Sequence, residues 1–186
     1  MPLITPPPST GQLLAYGRRQ IARQGVLDVN VVVGSISKIL RPVIGDDIEF
    51  VTSLDTGIGR IMGDAGQLEQ ILMNLSLNAK AAMPQGGRNT VETKSAPPDI
   101  AADETRAVAD RRPCVMLAIS DTGFGMDTAT RTRIFEPFLT TGGGSGRGLS
   151  IVDGIVKQNR WEIRVFSKPD LGTRFEIFPR ASTVSR

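Results

Sequence analysis

Apolar residues recur every three or four positions in several segments of the chain, a spacing typical of amphipathic helices. The clearest example begins after Asp64, a residue type that caps helix N-termini, and Gln67 follows in a capping-box pattern. This helix is predicted to run to about Met83, where a proline and two glycines end it. The same approach predicts helices at residues 12–24, 29–40, 128–134 and 149–158, and Pro42 is expected to stop the second of these.

Other segments alternate apolar and polar residues or form short apolar runs, which indicates β-strands. The predicted strands lie at residues 48–54, 89–94, 115–119, 162–167 and 173–178. The last two are expected to form a hairpin around the turn at residues 169–172. Helices and strands follow each other in mixed order, so the pattern predicts a two-layer α/β (α+β) sandwich rather than a doubly wound parallel sheet.

The ends of the chain and one internal segment differ from the rest in composition. Residues 1–10 are rich in proline and are expected to form an unstructured arm, and residues 96–112 are predicted to form a long polar loop. A single domain is predicted over residues 28–180, with residues 1–27 as an arm and linker and residues 181–186 as a tail. No apolar run is as long as a membrane span and the N-terminus has no signal-peptide layout, so we expect a cytoplasmic protein without a membrane segment.

Composition narrows the possible functions further. The net charge is +3, but the basic residues are scattered and only one tyrosine and one tryptophan could stack on bases, so we expect no nucleic-acid partner. The single cysteine, Cys114, excludes an internal disulfide and lies in an apolar run as a predicted core residue. The chain contains no histidine, which excludes histidine bases, histidine metal ligands and Ser-His-Asp triads within it.

The first segment that suggests chemistry is Asp121-Thr-Gly-Phe-Gly-Met126, directly after a predicted buried strand. Glycines let the backbone turn sharply and approach a flat ligand, and a carboxylate at a strand end can accept a hydrogen bond from an exocyclic amine such as adenine N6. An Asp-Thr-Gly sequence also forms ordinary turns. The segment therefore predicts a nucleotide pocket only if other elements support it.

Two further segments supply that support. Asn74 and Asn78 lie four positions apart on one helix face, and asparagine is a poor helix former. They are either a solvated polar stripe or oxygen donors for a hard cation such as Mg²⁺, which combines few protein ligands with phosphate oxygens. The glycine-rich residues 142–150 precede a predicted helix, whose N-terminus suits phosphate, although a flexible linker is the alternative.

Taken together, these motifs resemble the ATP-binding catalytic domain of bacterial sensor histidine kinases, in the GHKL ATPase superfamily. The resemblance covers about residues 28–180 and implies the Bergerat fold, in which a mixed, mostly antiparallel sheet packs on about three helices. Residues 66–87 resemble the N box and residues 121–126 the first glycine box. Residues 135–138 (Phe-Glu-Pro-Phe) resemble the F box, residues 144–150 the second glycine box and residues 172–175 the final Gly-Thr-x-Phe.

The resemblance implies ATP and Mg²⁺ as cofactors and gives individual residues a role. Asn78 matches the Mg²⁺-binding asparagine, Asn74 lies near the phosphates, and Asp121 matches the carboxylate that reads adenine. Because guanine presents a carbonyl oxygen where adenine presents an amine, this carboxylate is expected to reject guanine. The other nucleotide-binding positions implied are Gly123, Gly125, Met126, Gly146, Arg147, Gly148, Leu149 and Thr173.

The resemblance also implies a reaction that this chain cannot complete alone. In the family, the ATP γ-phosphoryl group passes to a histidine on a dimerisation domain, from which a response regulator receiver domain takes it. This chain has no histidine, and residues 13–20, within the arm and linker at residues 1–27, resemble the tail of a dimerisation helix. We therefore expect a kinase catalytic domain that does not autophosphorylate by itself, and assign no general base.

Three departures from the family pattern leave alternatives open. Residues 140–146 form a short, glycine-rich version of the mobile ATP lid, either natural or engineered, which also suits a binding module with little kinase activity. Arg147 replaces the usual leucine and either reaches a phosphate or faces solvent. Residues 159–161 replace a usual glycine pair. A gyrase-like or chaperone-like ATPase is a third interpretation, which the Phe-Glu-Pro-Phe box opposes.

Overall fold

The computed structural model describes residues 24–96, 114–136 and 147–179. These residues form seven strands and four helices. The strands are β1 (Gly25–Leu27), β2 (Ile48–Leu54), β3 (Ile61–Gly63), β4 (Gly87–Ala96), β5 (Cys114–Asp121), β6 (Glu162–Ser167) and β7 (Thr173–Phe178). The helices are α1 (Val29–Ile44), α2 (Ala65–Ala82), α3 (Thr128–Arg133) and α4 (Gly148–Gln158).

The main sheet has five strands in the order β2-β4-β5-β7-β6. Only β2 and β4 are parallel, and the other neighbours are antiparallel. The predicted fold class, with a mixed and mostly antiparallel sheet, is therefore confirmed. Strand β5 lies in the middle, and its last residue, Asp121, is paired with Asn89 of β4 on one side and Thr173 of β7 on the other.

Helices α1, α2 and α4 bury their apolar faces against the sheet, whereas the six-residue α3 has no buried residue. The helical spacing of apolar residues in the sequence thus corresponds to buried faces, and each fully buried leucine or isoleucine contributes about 1.5–3 kcal/mol. Among the most buried side chains of this core are Val33, Leu40, Leu68, Ile71, Leu72, Leu75, Leu117, Ile119, Val152 and Ile177. No helix of the described residues has both the length and the apolar character needed to cross a membrane.

Pro42 does not stop α1, contrary to the sequence prediction. The helix continues to Ile44, and the Gly45 N–H donates to the Arg41 carbonyl at 3.2 Å in its last turn. Proline removes one backbone donor but keeps a φ suited to a helix. Because Ile44 is only 2% exposed, its burial in the core offsets the lost hydrogen bond and holds the last turn.

The sequence pattern did not indicate strands β1 and β3. They pair with each other in antiparallel register, Gly25 opposite Gly63, and three residues are too few to show alternation. Gly63 lies against the Trp161 ring, since a Cβ atom at this position would be 2.9 Å from Trp161 Cζ2. The strand pair therefore closes one end of the core around a tryptophan that is 7% exposed.

The segment that replaces a usual glycine pair ends α4 without a glycine. Arg160 adopts a positive φ of 55°, a conformation that glycine takes more readily. The Asn159 side chain donates to the Ile155 carbonyl at 2.9 Å, and the Trp161 N–H donates to the Val156 carbonyl at 2.9 Å. These two bonds satisfy carbonyls at the helix end that a glycine cap usually serves.

Several predictions concern parts of the chain outside the described residues. They are the N-terminal arm, nearly all of the helix predicted at residues 12–24, the loop after Ala96, the glycine-rich lid and the tail. The predicted strand at residues 89–94 is longer, Gly87–Ala96, because β2 pairs with residues 87–93 and β5 with residues 89–96. The remaining strand and helix predictions are confirmed to within two residues at each end, apart from α1.

Candidate functional site

Asp121 is held at the end of the central strand by hydrogen bonds from two other segments. Its Oδ1 atom accepts from the Gly123 N–H at 2.9 Å and from the Thr173 N–H at 3.2 Å. Both bonds use the same oxygen, and neither engages Oδ2. Burial raises the pKa of this carboxyl above the ordinary aspartate value, and the two backbone hydrogen bonds oppose the shift.

The glycines near Asp121 allow the chain to pack very closely. A Cβ at Gly123 would lie 2.5 Å from the Ala82 carbonyl oxygen at the end of α2. Gly125, at φ 62°, lies against the Lys168 carbonyl, and the Phe124 carbonyl accepts from the Asp170 N–H at 2.8 Å. The structure thus places both glycines in backbone packing that fixes the turn after Asp121, and their contact with a base stays a prediction.

Thr173 and Met126 flank the same turn. Thr173 is buried, and its hydroxyl lies 2.9 Å from the Ser167 hydroxyl across the β6–β7 hairpin. Met126 is half-buried and packs against the main core. Asp121, Thr173 and Met126 are therefore fixed side chains at one end of the sheet.

Asn74 and Asn78 form the second part of the site with the N-terminus of α4. A Cβ atom at Gly148, the first residue of α4, would lie 3.4 Å from Asn74 Oδ1 and 3.7 Å from Asn78 Oδ1. The Asn78 Nδ2 atom is buried and has no hydrogen-bond partner among the described residues. Two amide oxygens therefore face the start of a helix, where backbone N–H groups without intrahelical partners and the positive end of the helix dipole lie.

Two local features bring α4 to this position. The Asp64 side chain caps α2 by accepting from the Gln67 N–H at 3.1 Å. The Gln67 side chain in turn accepts from Asn159 Nδ2 at 2.7 Å, which joins the start of α2 to the end of α4. The two helices consequently run in opposite directions, and the start of α4 reaches the asparagines three turns along α2.

The remaining residues of the predicted phosphate side differ in environment. Arg147 precedes α4, is exposed, and its carbonyl accepts from the Ile151 N–H at 3.1 Å. Leu149 is half-buried, and its side chain packs against the hydrophobic core. Gly146 lies outside the described residues.

Helix α2 joins the two parts into one site. Its last residue, Ala82, accepts a hydrogen bond from the Phe124 N–H at 3.1 Å, next to the Asp121 turn. Asn78 lies one helical turn before Ala82. The structure therefore brings the Asp121 turn and the asparagine pair to adjacent parts of one surface, at the ends of β5 and α2.

One residue of this region was missed by the sequence analysis. Asn89 lies directly opposite Asp121 and is fully buried, with both amide atoms unpartnered within the described part of the chain. Its only sequence signal is an asparagine, a residue that strands disfavour, at an inward position of a predicted strand.

A comparison with known protein families identifies the family of the domain that contains this site. Residues 63–183 match the family model described as "Histidine kinase-, DNA gyrase B-, and HSP90-like ATPase". The chain belongs to this ATPase family. The resemblance seen in the sequence is thereby confirmed, and the region around Asp121 and the asparagine pair is the candidate nucleotide site of the family domain.

The chain is similar to parts of larger proteins that are named as kinases. The chain is 39% identical over 170 residues to the sensor kinase CckA of Brucella abortus (strain 2308), and the alignment covers 90% of this chain but 18% of that protein. The solved structure of full-length ShkA in complex with AMPPNP has a TM-score of 0.71 at 22% identity, over 88% of this chain and 32% of that one. Histidine kinase ThkA, solved in complex with the response regulator protein TrrA, has a TM-score of 0.68 at 20% identity, over 92% of this chain and 46% of that one.

Proposed function

We propose that this chain is the ATP-binding catalytic domain of a two-component sensor histidine kinase. Membership of the ATPase family and 39% identity to a sensor kinase support this proposal. The main supporting observation is that the carboxylate of Asp121, at the end of β5, lies near two amide oxygens on α2. Such an arrangement suits the base at one end of a nucleoside triphosphate and the phosphates at the other.

Adenine binds at Asp121 in this proposal. The carboxylate keeps Oδ1 for two backbone N–H groups, and Oδ2 accepts from the adenine amine. Guanine has a carbonyl oxygen at that position and would be repelled. Sites that leave a buried polar group unpaired can reject the wrong ligand by about 10⁴–10⁵-fold.

The triphosphate lies between the asparagine pair and the start of α4. A Cβ atom at Gly148 would lie within 3.7 Å of both asparagine oxygens, so a phosphate bound beside Gly148 would meet the N–H groups and the dipole at the start of α4. Asn78 Oδ1, with Asn74 nearby, fits Mg²⁺, which takes few protein oxygens when phosphate oxygens and water complete its coordination. When bound, this ion neutralises charge on the phosphates.

The phosphoryl acceptor is a histidine on a dimerisation domain, because this chain contains no histidine. The response regulator receiver domain is the next partner, consistent with the complex solved for a structural neighbour. We place the domain in the cytoplasm, where ATP is available. Catalysis in this domain consists of positioning and charge stabilisation rather than proton transfer by a base of this chain.

The first experiment measures nucleotide binding. Calorimetric titration with Mg-ATP should show binding to the 186-residue chain, and Asp121→Asn should weaken it about tenfold or more, the typical effect of removing a charged hydrogen-bond acceptor. Asp46→Asn, an exposed substitution in the turn before β2, is the matched control and should leave the affinity unchanged. Equal ATP affinity in the wild-type chain and Asp121→Asn would contradict the role of Asp121.

The second experiment measures phosphoryl transfer. The chain is mixed with a separately made helical domain that carries the acceptor histidine, together with labelled ATP and Mg²⁺. Label on the histidine domain, and none on this chain alone, is the expected result. ATP binding without any transfer would instead favour a module that binds nucleotide and works through protein contacts.

A further inference from the structure

Asn89 is a buried polar residue that the structure leaves without a partner. Its side chain has 0% exposure, and neither Oδ1 nor Nδ2 has a hydrogen-bond partner among the described residues. Its inward neighbour Val91, two positions along β4, is apolar and packs in the main core. Burying an amide without a partner costs folding free energy, so a leucine of similar size would be more stable here.

The strand register places Asn89 beside Asp121. The two residues are directly opposite in the antiparallel pair of β4 and β5, so their side chains share one face of the sheet. The Thr122 N–H donates to the Arg88 carbonyl at 3.2 Å, which makes the next pair, Asn89 and Asp121, the type without mutual backbone hydrogen bonds. Side chains approach most closely in pairs of that type.

We propose that Asn89 is a second base-recognition residue of the nucleotide site. This inference rests on the proposed function and identifies a further group in the same site. The Asp121 carboxylate accepts from the adenine amine. The Asn89 amide, which has no exposed surface in this structure, donates to the adjacent ring nitrogen N1 when the base displaces the side chains that cover it. The asparagine side chain carries an NH₂ donor, and adenine N1 is an acceptor that Asp121 cannot serve.

The proposal explains why an unpaired amide is kept where an apolar side chain would fit. In the free domain the amide lowers stability, and in the complex it gains the hydrogen bond that it lacks. Stability and nucleotide affinity therefore depend on Asn89 with opposite signs. A residue that only filled space would not separate the two quantities in this way.

The test is the variant Asn89→Leu in the full 186-residue chain. Its melting temperature without ligand should rise, and its affinity for Mg-ATP should fall about fivefold to tenfold, the usual effect of one lost hydrogen bond. An ATP analogue with CH in place of ring nitrogen N1 should bind equally to the wild-type chain and to Asn89→Leu. This pair of ligands and pair of proteins form a double-mutant cycle that isolates the contact.

Ser76→Ala is the matched control. Ser76 is also fully buried with an unpartnered hydroxyl within the described residues, but it lies two positions from Asn74 and from Asn78, on the opposite side of α2. This variant should leave ATP affinity unchanged. Unchanged ATP affinity in Asn89→Leu, or an equal loss for both ligands, would overturn the proposal.

A measurement on the wild-type chain covers the case in which Asn89→Leu does not fold. The Asn89 side-chain amide resonance, assigned in a nitrogen-edited NMR spectrum, should shift when Mg-ATP is added and shift much less with the analogue. Equal shifts with both ligands would overturn the proposal. A wild-type chain that binds no Mg-ATP contradicts the proposed function, and this inference with it.

Discussion

Asp121 combines partial burial with an oxygen, Oδ2, for which no hydrogen bond is found within the described residues, and the burial has a consequence for stability. Burial raises its folded-state pKa above 3.8, the ordinary aspartate value, so the folded chain holds the proton more tightly than the unfolded chain. The folded state therefore gains stability from this group at low pH and loses it as the pH rises from the unfolded pKa through the folded pKa. Above that window the charged carboxylate is kept at a cost that ATP binding can offset.

Asp121→Asn removes this titrating group. The unfolding free energy of the wild-type chain should fall relative to that of Asp121→Asn as the pH rises through the acidic range. Urea unfolding at a series of pH values measures this difference, and all other titrating groups cancel. A difference that stays constant with pH would mean that burial does not perturb Asp121 in solution.

At the scale of single residues, a role can be inferred from the sequence when neighbouring positions form a motif. A role that depends on strand pairing cannot. Asp121 could be proposed as a base-binding residue because the asparagine pair and the glycine-rich segment support the motif that contains it, and that role stays a prediction. Asn89 could not, because its significance depends on the residue opposite it on the next strand, and register is a property of the sheet.

At the scale of elements, the start of α4 lies close to the asparagine pair on α2, with little space between them. Gly148→Ala places a methyl group 3.4 Å from Asn74 Oδ1, between α4 and the asparagine pair, where the phosphates are proposed to bind. Alanine is a better helix former than glycine, so stability should be unchanged or higher. ATP affinity should fall about tenfold, since crowding by one methyl group typically costs about 1–3 kcal/mol.

The control for this variant lies in the same helix. Gly154 is exposed, and a Cβ there would meet nothing within 4 Å, so Gly154→Ala changes helix propensity without affecting the site. Calorimetry with Mg-ATP on both variants separates the two effects. Equal ATP affinity for the two variants would place the phosphates elsewhere.

Helix α1 shows how packing can override a local signal. Pro42 was expected to end the helix, yet burial of Ile44 extends it by another turn. Because a proline near a helix end still removes one backbone donor, Pro42→Ala should raise the unfolding free energy by about 1–2 kcal/mol after allowing for the greater freedom of the unfolded chain. Thermal unfolding measures the change, and an unchanged or lower stability would mean that Pro42 fits the helix without cost.

At the scale of the whole molecule, five strands and the longer helices could be predicted because each carries an alternating, helical or continuous apolar pattern over five or more residues. Strands β1 and β3 were missed because they have three residues each. The sheet order β2-β4-β5-β7-β6 has no local signature, and the resemblance to a known family implied only a mixed, mostly antiparallel sheet. The site depends on that order, because it places Asn89 and Thr173 on either side of Asp121.

Ligand binding should make the stability of the whole domain depend on Mg-ATP. A ligand at one hundred times its dissociation constant stabilises a folded protein by about 2.7 kcal/mol, which appears as a higher melting temperature. Removal of Mg²⁺ by a chelator should abolish most of this rise in melting temperature. Asn78→Ala should bind ATP with the same affinity in the presence and absence of Mg²⁺, because Asn78 Oδ1 is the proposed protein ligand of the ion. If Asn78→Ala keeps the full Mg²⁺-dependent rise in melting temperature, the ion is held through the phosphates and other groups, and Asn78 serves only to position the triphosphate.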